Sequence, residues 1–363
     1  MFRRPDASAP AIPRELRCRE VSVDAPSVSL ATERQRLCRF RDLISGRDYQ
    51  IQLAGRRPIV GSLERLPREA AAPGLDESLV PETRERLAIP LAAMTIDPER
   101  LPPVGATRFE ALRKPFRGYW WPWSGALYPT LAKYDEWVRA RGLSRPSALE
   151  WERAYHRPLS TWSGHCNGWA ASSLLYPEPI RGVVVRDGNV SFGVADIKGL
   201  LASLSFCVRY SFHGQRYRQA GDDPTDIDPK LFHRVLLDNL GNRRRGVAVD
   251  VNAGEGVDNQ IVSGGVWTVS RLNGDRRFRV RAALDIHIYD GGLSDVPGVA
   301  PFSTRIYTYD VTTDVEGRVI EAAWVGENPD FLWVPLEPAD CGRDNPHVKS
   351  TDLDELVEAA KNN

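Results

Sequence analysis

Cys166, in the stretch WSGHCNGWAASSLLYPEP, is the residue of this 363-residue chain best placed by its surroundings for chemistry. The segment predicts a helix from about His165 to Tyr176, stopped by Pro177. Cys166, Trp169, Ala170, Ser173 and Leu174 then share one face, and Cys166 falls in the first turn. Ser163 can cap, and Gly164 lets the backbone turn tightly. First-turn N–H groups and the positive end of the helix dipole favour thiolate over thiol, and the same groups can hold an oxyanion. The alternative is a buried structural cysteine, and this segment alone does not separate the two.

A second stretch, DPKLFHRVLLDNLGNRRRGVAVDVNAG, reads as two strands joined by a Gly/Asn/Arg turn. A two-residue turn on Gly241-Asn242 sets His233 opposite Asp250; a turn two residues wider sets it opposite Asn252. A histidine paired with a carboxylate is the base-and-orienter half of a nucleophilic triad. Joined to Cys166, it predicts Cys-His-Asp. His165 adjoins Cys166, but neighbouring helical residues do not face each other. His156, His213, His287 and His347 show no comparable partner pattern.

The elements that must hold such a site follow from the rest of the chain. Lys+Arg and Asp+Glu balance at 48 each, so no net field draws nucleic acid or anionic lipid. No apolar run is long enough for a membrane span, and the N-terminus lacks the apolar core of a secretory signal. These features predict a cytoplasmic protein, unless another export route serves it. Cys18, Cys38, Cys166, Cys207 and Cys341 form no CxxC pair, which argues against a zinc site and a disulfide scaffold. No cofactor or metal is predicted. The acidic loop at 221–229 is the one place calcium could be drawn, though it lacks the spacing of a dedicated calcium loop.

Four regions are expected. Residues 1–17 read as disordered, and 18–110 as an N-terminal extension with a small β element and a Pro-rich arm. Residues 111–340 form the catalytic domain, and 341–363 a tail with a short helix capped by Ser350 or Thr351. The aromatic cluster RGYWWPWSG reads as a packing anchor that runs into a helix ending near Gly142. A further helix is predicted over 194–206, and most of the remainder is β-type, with DVEGR as a hairpin turn.

Assembled, these pieces resemble the transglutaminase superfamily, and most closely its transglutaminase elicitor family. WSGHCNGWA is similar to that family's nucleophile motif, PKLFHRVLLDNLG to its histidine segment, and VAVDVNAGEGVDNQIVSGGV to its aspartate segment. IYTYDVTTDVEGRVIEAAWVGENPDFLWVP resembles its closing hairpin. The similarity is collinear over about 115–336. Asp258 and Ile261 stand where the family shows Trp and Pro around the Asn-Gln pair, a departure that bears on substrate choice.

The resemblance implies an α+β fold with a papain/transglutaminase-like core: a nucleophile helix packed on an antiparallel β-sheet, after an N-terminal extension. It implies Cys166 as nucleophile, His233 as general base and acid, and Asp250 as orienter. The residues themselves add two supporting candidates: Trp162, four positions before the nucleophile, as an indole donor to the oxyanion, and Asn252 from the wider turn. The reaction implied is acyl transfer from a protein or peptide glutamine to an amine (lysine or polyamine) through a thioester. A glutamine deamidase or cysteine peptidase on the same triad, or a non-enzymatic binding module of the same fold, are the alternatives.

Overall fold

The protein is described here by a computed structural model. It describes residues 96–361 apart from 158–162, 217–225, 252–255 and 338–343, together with four N-terminal strands. The expected disorder of 1–17 (apart from Arg17, which opens a strand), the Trp162 and Asn252 candidates, and 221–225 of the acidic loop lie outside the described residues.

The chain divides into Met1–Ala88 and Ile89–Asn363. The first unit is an antiparallel meander of β1 (Arg17–Val21), β2 (Gln35–Arg41), β3 (Asp48–Ala54) and β4 (Arg57–Ser62), paired in that order. In the second unit, β5 (Gly105–Glu110) lies inside the stretch read from sequence as extension, yet it pairs with the central strand of the main sheet.

That sheet has eight strands, all antiparallel. They are β5, β8 (Arg209–Gly214), β9 (Val247–Asp250), β10 (Asn259–Arg271), β11 (Arg277–His287), β12 (Phe302–Thr313), β13 (Val319–Trp324) and β14 (Phe331–Glu337). Their order is β13-β12-β11-β10-β9-β14-β8, and β5 continues the β9 edge of the long β10. A separate two-stranded ribbon joins β6 (Val183–Val185) to β7 (Val190–Phe192).

Strand alternation divides the core between the two faces of the sheet. Ala248, Ile261, Phe331 and Trp333 join a cluster with α1 (Tyr128–Ala140), α3 (Cys166–Leu175), α4 (Val194–Leu204) and the C-terminal α6 (Ser350–Ala360). Val247, Val249, Val262, Leu332 and Val334 join a cluster on the other side, with Tyr307 and Tyr309. One helix packs there: α5 (Pro229–Leu236), continued by a wide turn over Leu237–Asn242.

This α5 replaces a predicted strand, and the local sequence explains why. The Asp228 side chain accepts the Leu231 N–H at 3.0 Å, and Pro229 takes the first helical position, where its missing N–H costs nothing. Phe232, Val235, Leu236 and Leu240 then recur at helical spacing and are all buried. Valine and leucine content suggested strand; capping and period decide helix. No hairpin therefore joins His233 to Asp250.

Elsewhere the prediction and the structure run close. The helix that opens on Cys166 spans Cys166–Leu175, and the helix after the aromatic cluster spans Tyr128–Ala140. The α6 helix is capped by Lys349, with no side-chain hydrogen bond, rather than by Ser350 or Thr351.

Candidate active site

Cys166 opens α3, and the aromatic cluster is what fixes it there. The His165 N–H donates to the Trp120 carbonyl at 2.6 Å, and the Trp123 N–H to the Ser163 carbonyl at 3.0 Å. A side chain at Gly164 would lie 2.8 Å from that Trp120 oxygen, so the loops meet only because Gly164 has none. From the helix itself, the Trp169 indole N–H donates to the Phe116 carbonyl at 3.1 Å. On the adjoining side, α4 comes so near that a Cβ on Gly168 would sit 1.9 Å from the Ala202 carbonyl oxygen.

Cys166 is 7% exposed, and its helix packs on the sheet face that carries Ala248 and Ile261. The Asn259 side-chain amide donates to it at 3.3 Å. Asn259 is locked in turn, because the Trp333 indole N–H donates to its carbonyl oxygen at 2.8 Å. The neighbouring Asp258 carboxylate accepts from the Tyr289 hydroxyl and the Gln260 amide, each at 2.8 Å. Burial pushes the Cys166 thiol up from its ordinary value; the Asn259 amide opposes this, and the Asp258 charge adds to it. The dipole argument for a thiolate is thus outweighed by desolvation, and the resting group is a thiol.

Asp250 and His233 do not complete a triad with Cys166. Asp250 is fully buried and pairs across the ladder with Asn259 and Phe331, on the Cys166 face of the sheet. His233 belongs to α5, on the opposite face. Its Nδ1 accepts from the Tyr309 hydroxyl at 2.6 Å, and its Nε2–H donates to the Arg100 carbonyl at 3.2 Å. Burial lowers its pKa to about 4, so it stands neutral with both nitrogens used. Sheet and core separate it from the thiol.

No other histidine takes its place. His156 and His165 face Glu152 and Asp344; His287 is held by Ser263 and the Ala300 carbonyl; His213 contacts Ser211. His347 sits beside Tyr134 through its own carbonyl. The sequence reading missed Asn259 and Trp333, which stand 93 and 167 positions beyond Cys166. Their signal lay within quoted stretches, the NQ pair and DFLWVP, but nothing local marks either as a partner of the thiol.

Cys207 is disulfide-bonded, whereas Cys166 is free. Of the acidic loop, Asp228 caps α5 and Asp226 accepts from the Asn328 amide, so both described carboxylates have structural partners.

The fold and the site can be set beside known proteins. The transglutaminase elicitor family's sequence profile matches residues 152–275, which include Cys166, His233, Asp250 and Asn259. Among solved structures, the GP42 transglutaminase from Phytophthora sojae superposes with a TM-score of 0.56 at 18% identity, over 77% of this chain and 97% of that one. No curated protein sequence matches. The structural likeness is one of fold: a mixed helix and antiparallel sheet core like that of the GP42 transglutaminase.

Proposed function

We propose that this protein transfers acyl groups through Cys166 in the manner of a transglutaminase, without a resident imidazole. The supporting observation is the thiol in the first turn of α3 with the Asn259 amide aimed at it and held by Trp333. In this reading the sulfur attacks the carboxamide carbon of a glutamine side chain. The thiol proton leaves with the amide nitrogen as ammonia. An amine then attacks the thioester, and its proton returns to sulfur, so the cycle closes without net proton change.

The donors facing the sulfur suit the developing oxyanion: the Asn259 amide and the first-turn N–H groups of α3. The Asp258 charge acts on the thiol electrostatically and favours its protonated form. The substrates are a glutamine in a protein or peptide and a primary amine. A site lacking its general acid–base is expected to run about 10²–10⁴-fold below one that has it.

The position of His233 favours a second reading, an interaction module that keeps the fold but not the chemistry. Incorporation of a fluorescent primary amine into a glutamine-bearing protein separates the two. The acyl-transfer reading predicts slow incorporation that is lost in Cys166→Ala. Equal signal from the wild type and Cys166→Ala leaves only the module. Ammonia release without amine incorporation assigns hydrolysis to the same sulfur.

A further inference from the structure

Beside the nucleophile loop, Glu152, His156 and His165 meet below the surface, with one donor atom from each lying within 4.8 Å of the others. Glu152 and His156 come from the end of α2 (Ala148–Tyr155) and the residue after it. They are 1% and 7% exposed, and His165, just before Cys166, is 0% exposed. Glu152 Oε1 stands 2.8 Å from His156 Nδ1 and 3.6 Å from His165 Nε2.

We propose that this cluster is a zinc(II) site with Glu152 Oε1, His156 Nδ1 and His165 Nε2 as ligands and a solvent oxygen in the fourth position. Asp344 stands behind the His156 ring, its Oδ1 2.8 Å from Nε2, as a second carboxylate.

Three features carry this. First, the remaining polar atoms of each ligand are already engaged. His165 Nδ1–H donates to the Trp121 carbonyl at 3.2 Å, and His156 Nε2 faces Asp344 Oδ1 at 2.8 Å. Glu152 Oε2 accepts from the Asn345 amide at 3.3 Å. Zinc-bound imidazoles are oriented in this way, with the second ring nitrogen donating to a carbonyl or carboxylate.

Second, His165 Nε2 is buried without any hydrogen-bond partner and is aimed at Glu152. Such atoms are costly unless something satisfies them. Third, size and charge fit. Bonds of about 2.1 Å put tetrahedral donors about 3.4 Å apart, between the 2.8 and 3.6 Å that separate Glu152 Oε1 from the two imidazole nitrogens here. A dication also cancels two buried carboxylates while both imidazoles stay neutral.

The set contains no cysteine, so cysteine spacing gives no sign of it. Its ligands are mixed N/O donors, and Asp344 arrives from 179 positions beyond His165. Bound zinc would tie α2, the loop into α3 and the 344 segment together. It would thereby brace the first turn that holds Cys166.

The test uses the full chain, both expressed in zinc-supplemented medium and refolded from denaturant with zinc(II) or with chelator, then dialysed. About one zinc per chain by elemental analysis is expected by either route. Refolding with zinc should raise Tm by several degrees. Glu152→Gln and His165→Gln should each hold less than about a tenth as much metal. Cobalt(II) refolded into the wild type should show the visible bands of a tetrahedral N/O site, a readout independent of how the variants fold. Wild-type zinc below about a tenth of an equivalent after refolding overturns the proposal. So does zinc bound equally by the wild type and folded variants, which would mark an adventitious ion only.

Discussion

Replacing Asn259 by Asp keeps an acceptor for the Trp333 indole but puts a carboxyl where the thiol now receives an amide N–H. The sulfur lies 3.3 Å from the donor atom that this exchange removes. With an effective dielectric of about 20, a unit charge there disfavours thiolate by about 5 kcal/mol, or roughly three to four pKa units. The new carboxyl can escape part of this by holding a proton, so the loss realised at pH 7.5 is smaller. Asn259→Ala removes the donor without adding charge. A hydrogen bond to a charged group contributes about 1.5–3 kcal/mol, so the thiol should rise by about one to two units. Alkylation of Cys166 by iodoacetamide, mapped by mass spectrometry, reads thiolate fraction directly. Rates should fall in the order wild type, Asn259→Ala, Asn259→Asp, with at least a tenfold drop for the last. A rate for Asn259→Asp equal to the wild type would refute the placement of Asn259 on the sulfur.

Two other outcomes follow from the geometry. Gly168→Ala drives a methyl against the Ala202 carbonyl of α4, a backbone atom that cannot swing aside. It should cost about 1–3 kcal/mol or more in denaturant unfolding, with Cys166 labelling faster as the helix start loosens. Buried His233, with its pKa lowered to about 4 from 6.5, takes no proton where the unfolded chain does. Stability should therefore be full above pH 6.5 and fall by a few kcal/mol, at most ~3, as pH drops toward 4, with His233→Gln flattening that slope. Urea titrations at stepped pH measure it.

What the sequence made legible was mostly local. The Cys166 helix could be read because Pro177 stops it and its buried residues follow a helical period, and the late strands because they alternate. The α5 segment failed for a definable reason. Its Val-Leu-Leu run suggested strand, while the deciding signals were Asp228 and Pro229 just upstream. From that one choice came the supposed His233–Asp250 pair, since residues of a hairpin share a face and residues of a helix behind a sheet do not. The Asn259–Trp333 support was invisible for another reason. Neither side chain is near Cys166 in the chain, and only the β9–β10 and β9–β14 registers bring them to the same face. The Glu152–His165 cluster is partly local, but Asp344 reaches it only through the tertiary fold.

The claim at the centre is that the Cys166 thiol works without His233, which the main sheet holds on its far side. The thiol pKa, taken from the pH dependence of Cys166 alkylation in the wild type and in folded His233→Gln, tests this most directly. Equal values, both above the ordinary thiol range, are predicted. A shift of more than about one unit on removing His233 would mean that imidazole and sulfur are coupled after all.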